Sequence, residues 1–438
     1  MVWKEDGKMK PIEFAREILR SLREFVPTIL SLLDVDFYKF TMGQFIFKHY
    51  RGIHVTFKLM VRSKDMPLGK YISEKVLRQH LAHAMRLRFT EIEINYLRDK
   101  GIFGEDYLNF LREFRLCPYQ LNKVGDDFEL TFSGPWEVVT MWETIALPMV
   151  SELYYRALLQ GLEWEDLEDV YARAQDKIRA KLQKILLHPN IRFSDFGLRR
   201  RHGLMWQQWV VGECKKTMGA QFVGTSNVWM AKYHNLPVIG TNAHELPMVV
   251  TALANSDDEM LEAPFKVLEQ WGEMYEQNLR IILPDTFTSK WFFANAPAWL
   301  LSWRGVRQDS GNPTDEGELY TRWYQEHGID PREKDGLYTD GLDVDPMIEI
   351  GQHFDGGLRS GFGVGTLLTN DFRDCYDGDN ETVSKLLKPF SMVCKVVTAN
   401  GRPCVKLSNN PEKATGEEVE RYKRVFGVGE QTAQAVIV

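Results

Sequence analysis

The chain has 438 residues, 44% of them hydrophobic and 26% charged, the composition of a folded protein long enough for two domains or one barrel with additions. Its formal net charge of −7 offers no basic excess for holding a polynucleotide through its phosphates, so no nucleic-acid partner is expected; a local basic cluster would still suit a small anion. Cys117, Cys214, Cys375, Cys394 and Cys404 are scattered and lack C-x-x-C spacing, which argues against a disulfide framework or a cysteine zinc site and fits a reducing, cytoplasmic compartment. The N-terminal MVWKEDGKMKPIEF has no apolar signal core and no apolar run approaches about 20 residues, so no membrane association is expected.

Residues 11–33 place apolar and charged side chains at helical spacing. In the following LLDVDFYKFTM, Asp34 and Asp36 are candidate caps for a helix carrying Tyr38, Phe45 and Phe47. IHVTFKLMVR alternates like a strand, residues 75–117 are dense in charged helix formers, and FELTFSGPWEVVTMWET reads as one or two strands leading into a helix. Helix formers then dominate residues 150–190.

Beyond HPNIRFSDFGLRRRHG the rhythm changes. Short apolar runs recur, each ending in polar or glycine-rich residues: FVGTSN, VIGTNAHE, IILPDTF, WRGVRQDSGNP, GLYTDGLD and RSGFGVGTLLTND. Helix-sized segments separate them, which predicts repeated β-α units and a mostly parallel sheet that a barrel would close without edges. FVGT and VIGT, with a helix over residues 226–235 between them, read as strand, helix, strand. These changes of rhythm divide the chain into an N-terminal α+β domain over residues 1–149, an α/β barrel over 150–390 and a C-terminal segment over 391–438. In that last segment two strands flank the Asn400-Gly401 turn and return toward the N-terminal part.

The strand ends collect chemistry where parallel sheets bind ligands. Thr225, Ser226 and Asn227; Thr241 and His244; Asp285 and Thr286; Arg307, Asp309 and Ser310; Asp340 and Asp343; and Gly363, Gly365 and Thr366 all fall there. Gly361–Thr366 would aim backbone N–H groups and a hydroxyl at one phosphate, or simply make a tight turn. No P-loop motif occurs. Arg199, Arg200 and Arg201 offer guanidinium forks for a phosphate or carboxylate, although basic triplets are often only solvated. Arg307 and Asp309 share one face of an extended strand, as ligand groups or as an internal ion pair. His244 is equally open between a reactive and a structural role, and Glu245 beside it would orient the ring or start a helix.

The segments LLDVDFYKFTM, FSDFGLRRR, FVGTSNVWMAKYHNLPVIGTNAHE, ILPDTF, RQDSGNP, YTDGLD, GFGVGTLLTND and KLSNNPEK, in this order, closely resemble the nicotinate phosphoribosyltransferase family over residues 32–413. The resemblance implies a type II phosphoribosyltransferase fold, an irregular α/β barrel with an additional N-terminal domain, working as a homodimer with shared active sites. It implies transfer of a 5-phosphoribosyl group from phosphoribosyl pyrophosphate to nicotinate, coupled to ATP hydrolysis through a phosphohistidine and assisted by Mg²⁺. Carried over by motif, His244 would be the phosphohistidine, Tyr38 and Phe196 would sandwich the pyridine ring, and Thr241 and Arg307 would contact nicotinate. Arg199 would serve a substrate phosphate or carboxylate. Asp285, Asp309 and Asp340 would hold ribose hydroxyls or the Mg²⁺–pyrophosphate assembly, with Asp309 or Asp340 as metal ligand. Gly363, Gly365 and Thr366 would cradle the 5-phosphate. Nicotinamide as substrate, or a non-catalytic pyridine-nucleotide-binding role, are the alternatives; a barrel glycosidase lacks its distinctive acid pair.

Overall fold

The computed structural model describes residues 9–63, 66–431 and 433–434. Most of the N-terminal stretch read for a signal, residues 1–8, lies outside them. Two sheets organise the chain. The strands β1 (His54–Val61), β2 (Tyr119–Val124) and β3 (Asp127–Pro135) begin an antiparallel sheet. The strands β4 (Phe193–Asp195), β5 (Phe222–Thr225), β6 (Ile281–Ile282), β7 (Gly305–Gln308), β8 (Asp335–Tyr338) and β9 (Arg359–Val364) form a parallel sheet in the order β5-β4-β9-β8-β7-β6. Then β10 (Met392–Ala399) and β11 (Arg402–Pro403), joined through Asn400 and Gly401 at positive φ, complete the first sheet in the order β11-β10-β1-β3-β2. Strand β10 pairs with β1 over seven residues, Val61 opposite Met392 at one end and Val55 opposite Ala399 at the other, so chain ends far apart in sequence share one sheet.

The local chemistry explains most elements. Strand β1 alternates, burying Val55, Phe57 and Leu59 on one face; full burial of each such side chain contributes about 1.5–3 kcal/mol. The helix Glu143–Leu159 is apolar nearly all round and is buried on nearly every side, the pattern of a helix inside a large core. The charged stretch 75–117 forms three amphipathic helices, Glu74–Arg86, Glu91–Arg98 and Glu105–Arg112. All five cysteines are buried free thiols. Among the described residues no helix is long and apolar enough to cross a membrane.

Three local expectations fail. The first helix stops at Ser21, after which residues 22–37 are turns and extended chain. Asp34 and Asp36 do not cap the next helix, Tyr38–His49, whose N-cap is Phe37; Asp34 is taken by Arg201 and Asn227, and Asp36 by Ser226. The run VIGT makes only an isolated bridge, Val238 to Thr225, rather than a strand. The parallel ladder is therefore open between β5 and β6, and the barrel is irregular.

Candidate active site

The carboxyl ends of the parallel strands face β1, β10 and the Tyr38 region across one cleft. The barrel side contributes Phe196, Arg199, Arg200, Ser226, His244, Arg307, Asp309, Asp340, Gly365 and Thr366. The opposite side brings Asp36, Tyr38, Arg62, Glu143 and Lys395, and the C-terminal segment adds Lys406 and Lys413.

His244 is the N-cap residue of the helix Glu245–Ala252 and is 8% exposed. Its Nδ1 lies 2.9 Å from the Thr286 hydroxyl, while its Nε2 lies 2.9 Å from Asp309 Oδ2 and 2.8 Å from Lys406 Nζ. Burial, then the Lys406 ammonium, push the ring's pKa down to about 4, so the imidazole is neutral at pH 7. Burial alone would raise the Asp309 carboxyl, but the hydrogen bond from His244 and the charge of Arg307 hold it well below the ordinary range. Asp309 is therefore an acceptor: a ring proton on Nε2 would be donated to it with Thr286 donating to Nδ1, whereas a proton on Nδ1 would be donated to Thr286 and free Nε2 to accept from Lys406. Lys406 Nζ, 2.8 Å from Nε2, also donates to Asp285 Oδ2 at 3.2 Å.

The donor atoms of His244, Asp285 and Asp309 lie within 4.8 Å of one another, a spacing compatible with a cation. Lys406, 2% exposed, already places an ammonium there. The oxygen donors nevertheless suit a hard cation arriving with phosphates: Asp285 Oδ1 is buried with no hydrogen-bond partner, and Asp309 and Asp340 line the cleft.

The arginine triplet splits into two roles. Arg201 is fully buried and forks onto Asp34 with bonds of 2.8 and 2.9 Å, also reaching Gln207 and the Thr28 carbonyl. Asp34 and Gln207 bind Asn227, and Gln207 and Thr225 donate to Asp195, so this network pins the loop carrying Phe196 to the segment carrying Tyr38. Arg199 faces the cleft between Asp36 (3.6 Å) and Glu143 (3.7 Å). Beside it, burial and then the charges of Arg199 and Arg62 lower the Arg200 pKa to about 10. Burial, then Lys406 and Arg62, lower Lys395 further from its ordinary value. Such mutual repulsion among cations marks a surface that an anion would stabilise.

Other expected residues sit less simply. Thr241 does not line the cleft; its carbonyl accepts a 2.6 Å bond from Thr41. Asp285 lies behind His244, held by Ser310 at 2.5 Å and by Lys406. Gly363 lies beneath Phe196: a Cβ there would come within 2.6 Å of the ring, so this glycine makes room for an aromatic wall, while Gly365 and Thr366 reach the cleft. Asp343 caps the helix Val344–His353 and pairs with Lys181, leaving Asp340, which pairs with Lys413, at the cleft. Arg307 donates to the Asn242 carbonyl at 3.0 Å, and its Nε has no partner among the described residues. Glu245 does not orient the imidazole; it binds Lys39 and Trp136. Sequence reasoning missed Lys39, Arg62, Glu143, Lys395, Lys406 and Lys413, although Lys39 lies in DFYKF and Lys406 and Lys413 lie in KLSNNPEK.

A cleft at the strand ends of an α/β barrel, walled by cations and centred on a neutral histidine among carboxylates, defines an enzyme of small, phosphate-bearing substrates. The chain belongs to the nicotinate phosphoribosyltransferase family: that family's model matches residues 191–430, and the model of its N-terminal domain matches residues 33–151. Among solved structures, it is similar to nicotinate phosphoribosyltransferase from Vibrio cholerae, with 31% identity, TM-score 0.81, and 92% of this chain and 95% of that one covered. A putative nicotinate phosphoribosyltransferase from Saccharomyces cerevisiae matches with 27% identity, TM-score 0.81, and 92% and 100% coverage. The nicotinate phosphoribosyltransferase from Porphyromonas gingivalis matches with 28% identity, TM-score 0.80, and 91% and 100% coverage.

Proposed function

We propose that the chain transfers the 5-phosphoribosyl group of phosphoribosyl pyrophosphate to the ring nitrogen of nicotinate, giving nicotinate mononucleotide and pyrophosphate for NAD biosynthesis. The observation that carries this reading is one cleft holding the aromatic side chains Tyr38 and Phe196, the cations Arg62, Arg199, Arg200, Arg307, Lys395, Lys406 and Lys413, and the acids Asp309 and Asp340. The nicotinate nitrogen forms the new C–N bond as the C1–pyrophosphate bond breaks, so no protein nucleophile attacks the sugar. Cations hold the leaving pyrophosphate, and acids face the positive charge growing on the ribosyl carbon. Gly365 and Thr366 serve the 5-phosphate. Asp309 or Asp340 would hold Mg²⁺, which would supply neutralisation of charge on the pyrophosphate.

The same reading makes His244 the acceptor of the ATP γ-phosphate. With the ring proton on Nδ1, the neutral imidazole keeps its Nε2 lone pair for that transfer, and ADP leaves as the P–N bond forms. The added charge would then meet Lys406. Arg307, with an unpartnered Nε, favours the carboxylate of nicotinate over the amide of nicotinamide.

Product analysis with nicotinate, phosphoribosyl pyrophosphate, Mg²⁺ and ATP tests the proposal. Nicotinate mononucleotide is expected, formed faster with ATP; turnover of nicotinamide in place of nicotinate would reject it. Labelled ATP should leave acid-labile phosphate on the protein, and its persistence in His244→Ala would reject the phosphohistidine.

A further inference from the structure

The cleft wall behind Tyr38 contains a charge cluster that the reaction above does not use. Lys39 is 0% exposed, and its ammonium lies 2.6 Å from Glu143 Oε2, 2.5 Å from Glu245 Oε2 and 3.2 Å from the Thr140 hydroxyl. The second Glu245 oxygen accepts a 2.6 Å bond from the Trp136 indole. Glu143 Oε2 also accepts from the Tyr38 hydroxyl at 3.2 Å, and its other oxygen faces Arg199. The ammonium sits 5.2 Å from the Tyr38 ring centre and 5.7 Å from that of Phe57. Three helices meet at this one charge: Tyr38–His49, Glu143–Leu159 and Glu245–Ala252.

Buried ion clusters of this kind add little net stability compared with an apolar filling, but removing one partner strands the others. Lys39 is therefore poorly explained as a stabilising group alone. Its two partners each touch a different part of the proposed machinery. Glu143 sets the Tyr38 hydroxyl and faces Arg199; Glu245 directly follows His244 and begins the helix that His244 caps.

We propose that Lys39 is a positioning residue that locks the aromatic wall of the nicotinate site to the helix bearing His244. Moving either glutamate drags the other through the shared ammonium, so the ring site and the histidine keep one mutual geometry. This rests on the function proposed above.

The test compares wild type with Lys39→Met and with the double variant Lys39→Met/Glu245→Gln, in which the lost cation is matched by loss of one carboxylate. Thermal midpoint, KM for nicotinate and kcat are read for each. The expected result is a destabilised single variant and a double variant restored toward the wild-type midpoint. KM is expected to stay at least tenfold raised and kcat at least tenfold lowered in both. Recovery of KM and kcat together with stability would show simple charge balance and overturn the proposal, as would a change in only one of the two parameters. If Lys39→Met does not fold, the double variant decides; if neither folds, Glu245→Gln decides, since it keeps Lys39 and an acceptor for Trp136, and wild-type KM and kcat there would overturn the proposal. A wild type that makes no nicotinate mononucleotide would instead refute the proposed function.

Discussion

Replacing Lys406 by Met removes the cation that crowds the His244 ring and keeps a side chain of similar length. Two unit charges 2.8 Å apart interact by about 6 kcal/mol at an effective dielectric of about 20. That figure is an upper bound of roughly four pKa units, at about 1.4 kcal/mol each. In the variant, Asp285 (3.6 Å) and Asp309 (2.9 Å) face the ring without an opposing ammonium, so only burial still disfavours the imidazolium. The His244 pKa, about 4 in the native chain, is expected to rise to the ordinary value near 6.5 or above it. An NMR titration of the histidine ring protons, with His244→Ala to assign the resonance, measures this directly. A His244 resonance in Lys406→Met that still titrates near pH 4 would refute the electrostatic account and leave burial as the whole cause. Folding stability carries the same sign. Because the native pKa lies below the unfolded one, the unfolded chain binds more protons between about pH 6.5 and 4, and His244 costs the native state stability as pH falls through that window. The penalty reaches about 3 kcal/mol below pH 4, and it should largely disappear in His244→Ala when urea unfolding is followed against pH.

Asp34→Ala strands the Arg201 guanidinium in the core and should destabilise the fold by about 3–5 kcal/mol in urea unfolding; a loss under 1 kcal/mol would contradict its buried pairing. Gly363→Ala pushes a methyl group against Phe196, so KM for nicotinate should rise about tenfold, with a loss of about 1.4 kcal/mol, while affinity for phosphoribosyl pyrophosphate stays near wild type. Equal loss of both affinities would instead place Gly363 in a phosphate cradle. Lys395→Met removes a cleft cation and should weaken phosphoribosyl pyrophosphate binding about tenfold at low salt, with a smaller deficit at 1 M salt, measured by titration calorimetry.

Local pattern accounts for much of this protein. The alternation of HVTFKLMV marks β1, the Asn400-Gly401 pair marks the turn between β10 and β11, and the recurring apolar runs mark the parallel strands whose ends carry Arg307, Asp309 and Asp340. Those signals are legible because strand period and turn geometry act over a few residues. VIGT carried the same signal but meets the edge strand β5 only through the Thr225–Val238 bridge.

The site's charge pairs are decided over much longer separations. Lys39 meets Glu245 across 206 positions, Lys406 meets His244 across 162 and Arg201 meets Asp34 across 167. No local spacing distinguishes Arg201, forked onto a buried carboxylate, from Arg199 in the cleft; burial and a distant partner separate them. The sequence by itself determined the order of elements and the polar residues at the strand ends. Tertiary structure decided which of those residues are paired and which face the cleft, because an ion's role depends on partners and solvent that only the folded chain brings to it.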